Sequence, residues 1–184
     1  MNKEISLRVK SWGYVGGFTL LIYSTLYIVR PVVTFLRQNI PFFDTLGNIL
    51  VVVIAVLIVL ALYRFKALGM IRKKTVFFLL VTTVLVYTAI IWRVEFTEEK
   101  IHFFEYGLLS WLIYKAFLVD IKGLPVFLYS LTLVFIIGWG DEIIQYLLPN
   151  RYYDIRDVIM NGTGGLMGLI LIFIARLDTK RELL

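Results

Sequence analysis

The chain has 184 residues, is 60% hydrophobic, carries a net charge of +6 and contains no cysteine. Its apolar content exceeds the roughly half expected of a soluble domain and falls in long blocks, which argues against an ordinary soluble globular fold and for an integral membrane protein. The absence of cysteine rules out disulfides, thiolate catalysis and cysteine-ligated metals. The positive charge borders the apolar blocks, so it reads as a topology signal and contact with anionic lipid, not as a nucleic-acid surface.

Six apolar blocks follow one another. The first runs roughly from Tyr14 to Val29 and is expected to end at Arg30-Pro31. The second spans about Leu46 to Tyr63, the third about Val76 to Trp92, and the fourth begins near Ile101 and fades near Val119. The fifth starts at Pro125 and stops before Pro149, and the sixth covers about Asp157 to Ala175. Pro31, Pro125 and Pro149 fall at block edges, where a missing N–H does least harm. Lys3, Arg8 and Lys10 resemble the basic start of a signal peptide. The apolar segment behind them is too long, however, and no small-residue cleavage site follows, so it is expected to be a retained first helix. The fold expected is therefore all-α: a polytopic membrane protein of about six transmembrane helices in one bundle. Residues 1–92 supply the first three helices, 93–176 the last three with the polar site in the same structural domain, and 177–184 a tail.

Lys and Arg set the orientation. Lys3, Arg8 and Lys10, then Arg64, Lys66, Arg72, Lys73 and Lys74, then Lys115 and Lys122, then Arg176, Lys180 and Arg181 share one side if there are six crossings. The opposite loops are poorer in basic residues, so both termini are expected in the cytoplasm. His102, Asp141, Glu142, Gln145 and the stretch from Arg151 to Asn161 then share the external end.

That stretch concentrates acids, arginines and amides in an otherwise apolar chain. Asp141 and Glu142 lie inside a hydrophobic run, where ionisable groups are costly and usually have a task. Asp141 precedes Pro149 by eight residues, or roughly 12 Å of helix, which places it below the interface. Gln145 is four residues from Asp141 and three from Glu142, and can neighbour either. Asp157 and Asn161 are also four apart, and Gly164 and Gly168 have the small-xxx-small spacing of close helix contact. Gly138 and Gly140 let a fifth–sixth helix pair bring Asp141 toward Asn161. His102, the sole histidine, has Glu105 at i+3 and Tyr106 at i+4. It is either a general acid or base oriented by a carboxylate or an interfacial histidine paired for solubility. Asp141 and Glu142 are either functional or pair with Arg151 or Arg156 to fasten the loop. Asp154 or Asp157 can cap the sixth helix. Arg151 and Arg156 can grip a phosphate or carboxylate in bidentate fashion, although Arg156 can instead neutralise Asp157. Glu98, Glu99 and Lys100 read as a solvated turn. With no paired histidines and no phosphate-cradling glycine loop, no metal and no cofactor are expected.

His102-Phe103-Phe104-Glu105-Tyr106-Gly107-Leu108-Leu109 resembles the HF…Y…L signature of VanZ-like proteins. Asp141-Glu142-Ile143-Ile144-Gln145 with Pro149-Asn150-Arg151 resembles their DE..Q…P.R signature, and Asp154 to Asn161 with the following glycines resembles their D…D…N..G…G ending. The resemblance covers about Lys100 to Ala175, and the earlier helices match only as generic membrane helices. It implies a small bacterial inner-membrane protein of the cell envelope, in a family whose namesake is linked to resistance to glycopeptides, chiefly teicoplanin. Two functions are weighed against it. In one, an external site binds or processes a membrane lipid or lipid-linked cell-wall precursor by hydrolysis or transfer. His102 is then the acid or base and Asp141 or Glu142 its partner, with Glu105, Tyr106, Gln145, Arg151, Asp154, Arg156, Asp157 and Asn161 around the substrate. In the other, the polar cluster is a structural latch in a non-catalytic scaffold that binds a precursor, a glycopeptide or another protein.

Overall fold

A computed structural model describes residues 2–148 and 152–178 of the chain. The described residues form α1 (Asn2–Asn39), α2 (Phe43–Ala67), α3 (Lys74–Trp92), α4 (Thr97–Phe117), α5 (Pro125–Tyr146) and α6 (Ile155–Arg176), with no strand among them. Pro125 opens α5, where its missing N–H is harmless. Gly69 closes α2 with φ 73°, donating its N–H to Lys66 while Met70 donates to the Phe65 carbonyl. That left-handed cap is one glycine adopts without strain.

Five helices, α1, α2, α3, α5 and α6, are long and apolar enough to cross a membrane. Helix α4 is not in that set, because it carries Glu98, Glu99, Lys100, His102, Glu105 and Lys115. It nevertheless occupies the centre of the bundle, packed against α1, α5 and α6 and touching α2. Where a helix meets other helices rather than hydrocarbon, its polar groups can find partners. The most apolar helix, α2, is the least buried of the five spans.

The first helix departs from expectation. It does not stop at Arg30-Pro31 but continues to Asn39. An interior proline costs roughly 3 kcal/mol through its lost N–H and ring clash. The turns beyond are held by buried Val33 and by Arg37, whose Nε lies 2.8 Å from Asp44 and whose Nη2 lies 2.7 Å from Glu98. Halfway down, the Tyr23 hydroxyl donates to the Ile137 carbonyl at 2.7 Å and ties α1 to α5.

Glycines set the depth at which α6 sits. A Cβ on Gly164 would lie 2.8 Å from the Phe103 carbonyl oxygen, and one on Gly168 would lie 2.7 Å from that of Gly107. This face of α6 therefore meets the α4 backbone directly. Gly162 and Gly165 turn instead toward Phe135 and Val134 of α5. Gly138 of α5 admits Asn161, whose Cβ lies 3.0 Å from the position a Gly138 Cβ would take.

At the other end of the bundle, Asp178 accepts the backbone N–H groups of Arg72 and Lys73 at 2.8 and 2.7 Å, just ahead of α3. These bonds, to Lys73 first, hold its carboxyl below the ordinary carboxylate range. A depressed carboxylate contributes stability above its unfolded pKa and loses it as pH falls through its folded one. Asp178→Asn is thus expected to lower the melting temperature at neutral pH and to leave the acid-denatured limit unchanged. A parallel shift at both pH values would refute that role.

Candidate functional site

The polar site lies where α1 and α5 finish and α4 and α6 begin. Its floor is a carboxylate with no exposed surface: Asp141 on α5 is 0% exposed. Its Oδ2 accepts the Tyr106 hydroxyl of α4 at 3.0 Å and the Asn161 amide of α6 at 3.2 Å, and its Oδ1 accepts the Gln145 amide at 3.3 Å. Three helices thus meet on one carboxylate. Buried polar groups persist when each finds a partner, and these do.

His102 stands above this floor. Its Nδ1 is 3.3 Å from Glu105 Oε2 and 3.8 Å from Asp141 Oδ2. The i,i+3 spacing on α4 places Glu105 beside the imidazole. Nδ1 is itself buried, and Glu105 is the nearer of the two acids.

Glu142 points away from Asp141, as adjacent helical residues must. It is 1% exposed, and its Oε1 accepts the Asp154 backbone N–H at 2.7 Å, fastening the α5–α6 loop to α5. Asp154 in turn caps α6, accepting the Arg156 backbone N–H at 2.9 Å. The Arg156 side chain folds back on the same carboxylate, with Nε 2.9 Å from Oδ2. That contact holds the Asp154 carboxyl below its usual range. The arginine therefore pairs with Asp154, and its side chain is 82% exposed. Arg151 lies outside the described residues.

Above His102 opens a cleft of about 320 Å³. His102, Glu105, Gln145, Asp154 and Asp157 line it; Asp141 and Glu142 do not. The opposite wall comes from α1, with Thr25, Arg30, Thr34 and Arg37, and the rim from Glu98, Glu99 and Tyr152. Sequence reasoning missed this wall because it ended α1 at Arg30. Arg30 and Arg37 are seven residues apart, two helical turns on one face, and that spacing was the available signal. The reading of Glu98, Glu99 and Lys100 as a solvated turn is also corrected. They form the first turn of α4, Glu98 pairs with Arg37, and Lys100 is only 2% exposed, its Nζ 3.4 Å from the Glu95 carbonyl.

No curated protein and no solved structure is matched by the chain. A family model described as VanZ/LLP1 matches residues 16–176. The match begins in α1, well ahead of the stretch around Lys100 where the resemblance was expected to start, and takes in α1, whose residues wall the cleft, together with α4, α5 and α6, which carry the polar site. The chain belongs to the VanZ/LLP1 family.

Proposed function

We propose that this protein is a multi-pass protein of a bacterial inner membrane, with both termini in the cytoplasm, whose extracytoplasmic cleft binds the polar head group of an envelope lipid or lipid-linked cell-wall precursor. One observation carries the reading: a roughly 320 Å³ cleft with His102 and Glu105 in its wall, opening where four helices of a membrane bundle end. Binding sites in bundles favour the space between helices, with a few polar groups fixing orientation. In this reading Asp141 and Glu142 position the site. Asp141 gathers Tyr106, Gln145 and Asn161, and Glu142 holds the loop that carries Asp154. His102, Glu105 and Asp157 face the ligand.

The test is lipid retention by protein reconstituted with an envelope-lipid mixture. His102→Ala and Glu105→Gln are expected to weaken retention about tenfold, or ~1.4 kcal/mol, with little change in melting temperature. Unaltered retention would contradict the reading. A labelling experiment on this cysteine-free chain tests the topology. Asn150→Cys should react with an impermeant reagent from outside and Lys73→Cys should not.

A second reading is favoured by the 3.3 Å approach of His102 Nδ1 to Glu105. An imidazole oriented by a carboxylate at a cleft is equipped for general acid–base chemistry, here hydrolysis or transfer of the head group. Turnover of an envelope lipid that drops by about 10²–10⁴-fold in His102→Ala would establish it.

A further inference from the structure

A second cavity, of about 490 Å³, lies between α2, α3, α4 and α6 and shares no lining residue with the polar cleft. It uses a different face of α4, that of Phe104, Leu108 and Trp111. Ile54 and Ile58 of α2 close one side, and Leu80 and Val84 of α3 another. Gly107 and Gly168 send no side chain into it, because there the α4 and α6 backbones meet directly.

The wall admits only an apolar occupant. Its two hydroxyls are satisfied within the protein: Tyr87 donates to the Phe103 carbonyl at 2.6 Å and Thr88 to the Val84 carbonyl at 2.8 Å. The other lining side chains are aliphatic or aromatic. Apolar cavities exclude water, and an unfilled void destabilises in proportion to its volume. Ile58, Leu108 and Trp111 line this one and remain exposed, so it opens as a groove on the surface of the bundle. For α2, long and apolar enough to cross a membrane, that surface meets hydrocarbon.

Length and charge identify the occupant. Along α2 the wall runs from Val51 to Leu62, or roughly 16 Å of helix. One leaflet supplies half of the ~30 Å hydrocarbon core, so a single acyl chain fits the groove end to end. The groove finishes at Leu62, Leu80 and Ala175, where α2 and α6 end and α3 begins, the end opposite the polar cleft. Lys115 stands there, one turn past Trp111 on the same face of α4, with its Nζ 6.0 Å from the Trp111 ring centroid. Among the described residues no carboxylate lies within ion-pair distance of Lys115. The nearby Arg176 donates instead to the Tyr114 hydroxyl.

We propose that this groove holds one acyl chain of an anionic phospholipid from the leaflet opposite the polar cleft, with Lys115 as counter-ion to its phosphate. An ammonium serves a phosphate as a point charge. In the orientation proposed above, that leaflet is the cytoplasmic one.

Native mass spectrometry of protein released from nanodiscs of equal phosphatidylglycerol and phosphatidylcholine reads the retained lipid. The parent is expected to keep phosphatidylglycerol about fivefold more often than phosphatidylcholine, the upper end for an exposed ion pair. Lys115→Glu should abolish that preference. Lys122→Glu, the same charge change at an exposed lysine outside the groove lining, should leave it intact. His102→Ala should leave it intact too. Ile58→Trp fills the mouth and should lower retention of both lipids without lowering the melting temperature; Leu108→Trp narrows the same mouth from α4 and decides the point should Ile58→Trp melt early. Equal retention of the two lipids by the parent would overturn the anionic assignment. A preference lost as fully in Lys122→Glu as in Lys115→Glu would show general surface charge at work and overturn the counter-ion. Loss in His102→Ala would assign the lipid to the cleft and overturn the groove, as would full retention in a stably folded mouth variant.

Discussion

Asp141→Ala is expected to destabilise the protein more than any other single change at the polar site. The carboxylate accepts from Tyr106, Gln145 and Asn161, and its removal takes that shared acceptor from three donors. Hydrogen bonds between membrane helices average only about 0.6 kcal/mol, with a maximum near 1.7. Bonds to a charged acceptor are roughly twice as strong as neutral ones, and each orphaned buried donor costs about 1–3 kcal/mol. We therefore expect a loss of about 2–4 kcal/mol in reversible unfolding from mixed micelles. Asn161→Ala removes one donor and should cost about 0.6–1.7 kcal/mol. Asp141→Asn keeps one acceptor oxygen and should fall between them. The changes will not add, because the groups form one network. Asp141→Ala within about 0.5 kcal/mol of the parent, the range of an ordinary surface change, would show that the network is not what joins α4, α5 and α6.

The second large effect is expected at the α4–α6 contact. A side chain at Gly164 or Gly168 meets backbone, the Phe103 and Gly107 carbonyls at 2.8 and 2.7 Å. A neighbouring side chain could rotate away, but a helix backbone moves only with its helix. Gly164→Val should therefore push α4 off α6 at a cost of at least ~1–3 kcal/mol. It should also impair ligand binding, because His102 and Glu105 ride on α4. Gly162→Ala meets only the Phe135 ring, a half-exposed group that can swing aside, and should cost less. Gly16 has nothing within 4 Å of its would-be Cβ. Gly16→Ala should be neutral or stabilising by up to about 1 kcal/mol through helix propensity. Melting curves of the three variants give the order, and Gly164→Val as stable as Gly16→Ala would contradict the packing account.

Local pattern explains why some features were legible from residues alone. Apolar block length marks helices, and i,i+3 or i,i+4 spacing marks partners on one helix, so His102–Glu105 and Asp141–Gln145 were visible. The sequence offered Asp154 or Asp157 as the cap of α6, and it is Asp154 that takes the place. The proline rule misled at α1 because it weighs only the local cost. The turns past Pro31 carry buried Val33 and an Arg37 that pairs with Asp44 and also with Glu98, sixty-one residues along the chain. Such a pair leaves no periodic trace. Helix α4 misled in the same way: its first turn reads as solvent-exposed by composition, yet tertiary packing buries Lys100. Arg156 was expected to grip an anion or to neutralise Asp157; its partner is instead Asp154, brought into reach by the cap that Asp154 makes on the Arg156 backbone N–H.

Photo-crosslinking in intact membranes tests directly whether the cleft holds the head group of a membrane lipid. A benzophenone side chain replaces Tyr152 at the cleft rim in one protein and Tyr14, an exposed residue of α1 outside the cleft lining, in another. Mass spectrometry of the adducts should show a distinct set of lipid head groups enriched at position 152 over position 14, and that enrichment lost in His102→Ala. Adducts of the same lipid composition at both positions, unaffected by His102→Ala, would contradict it.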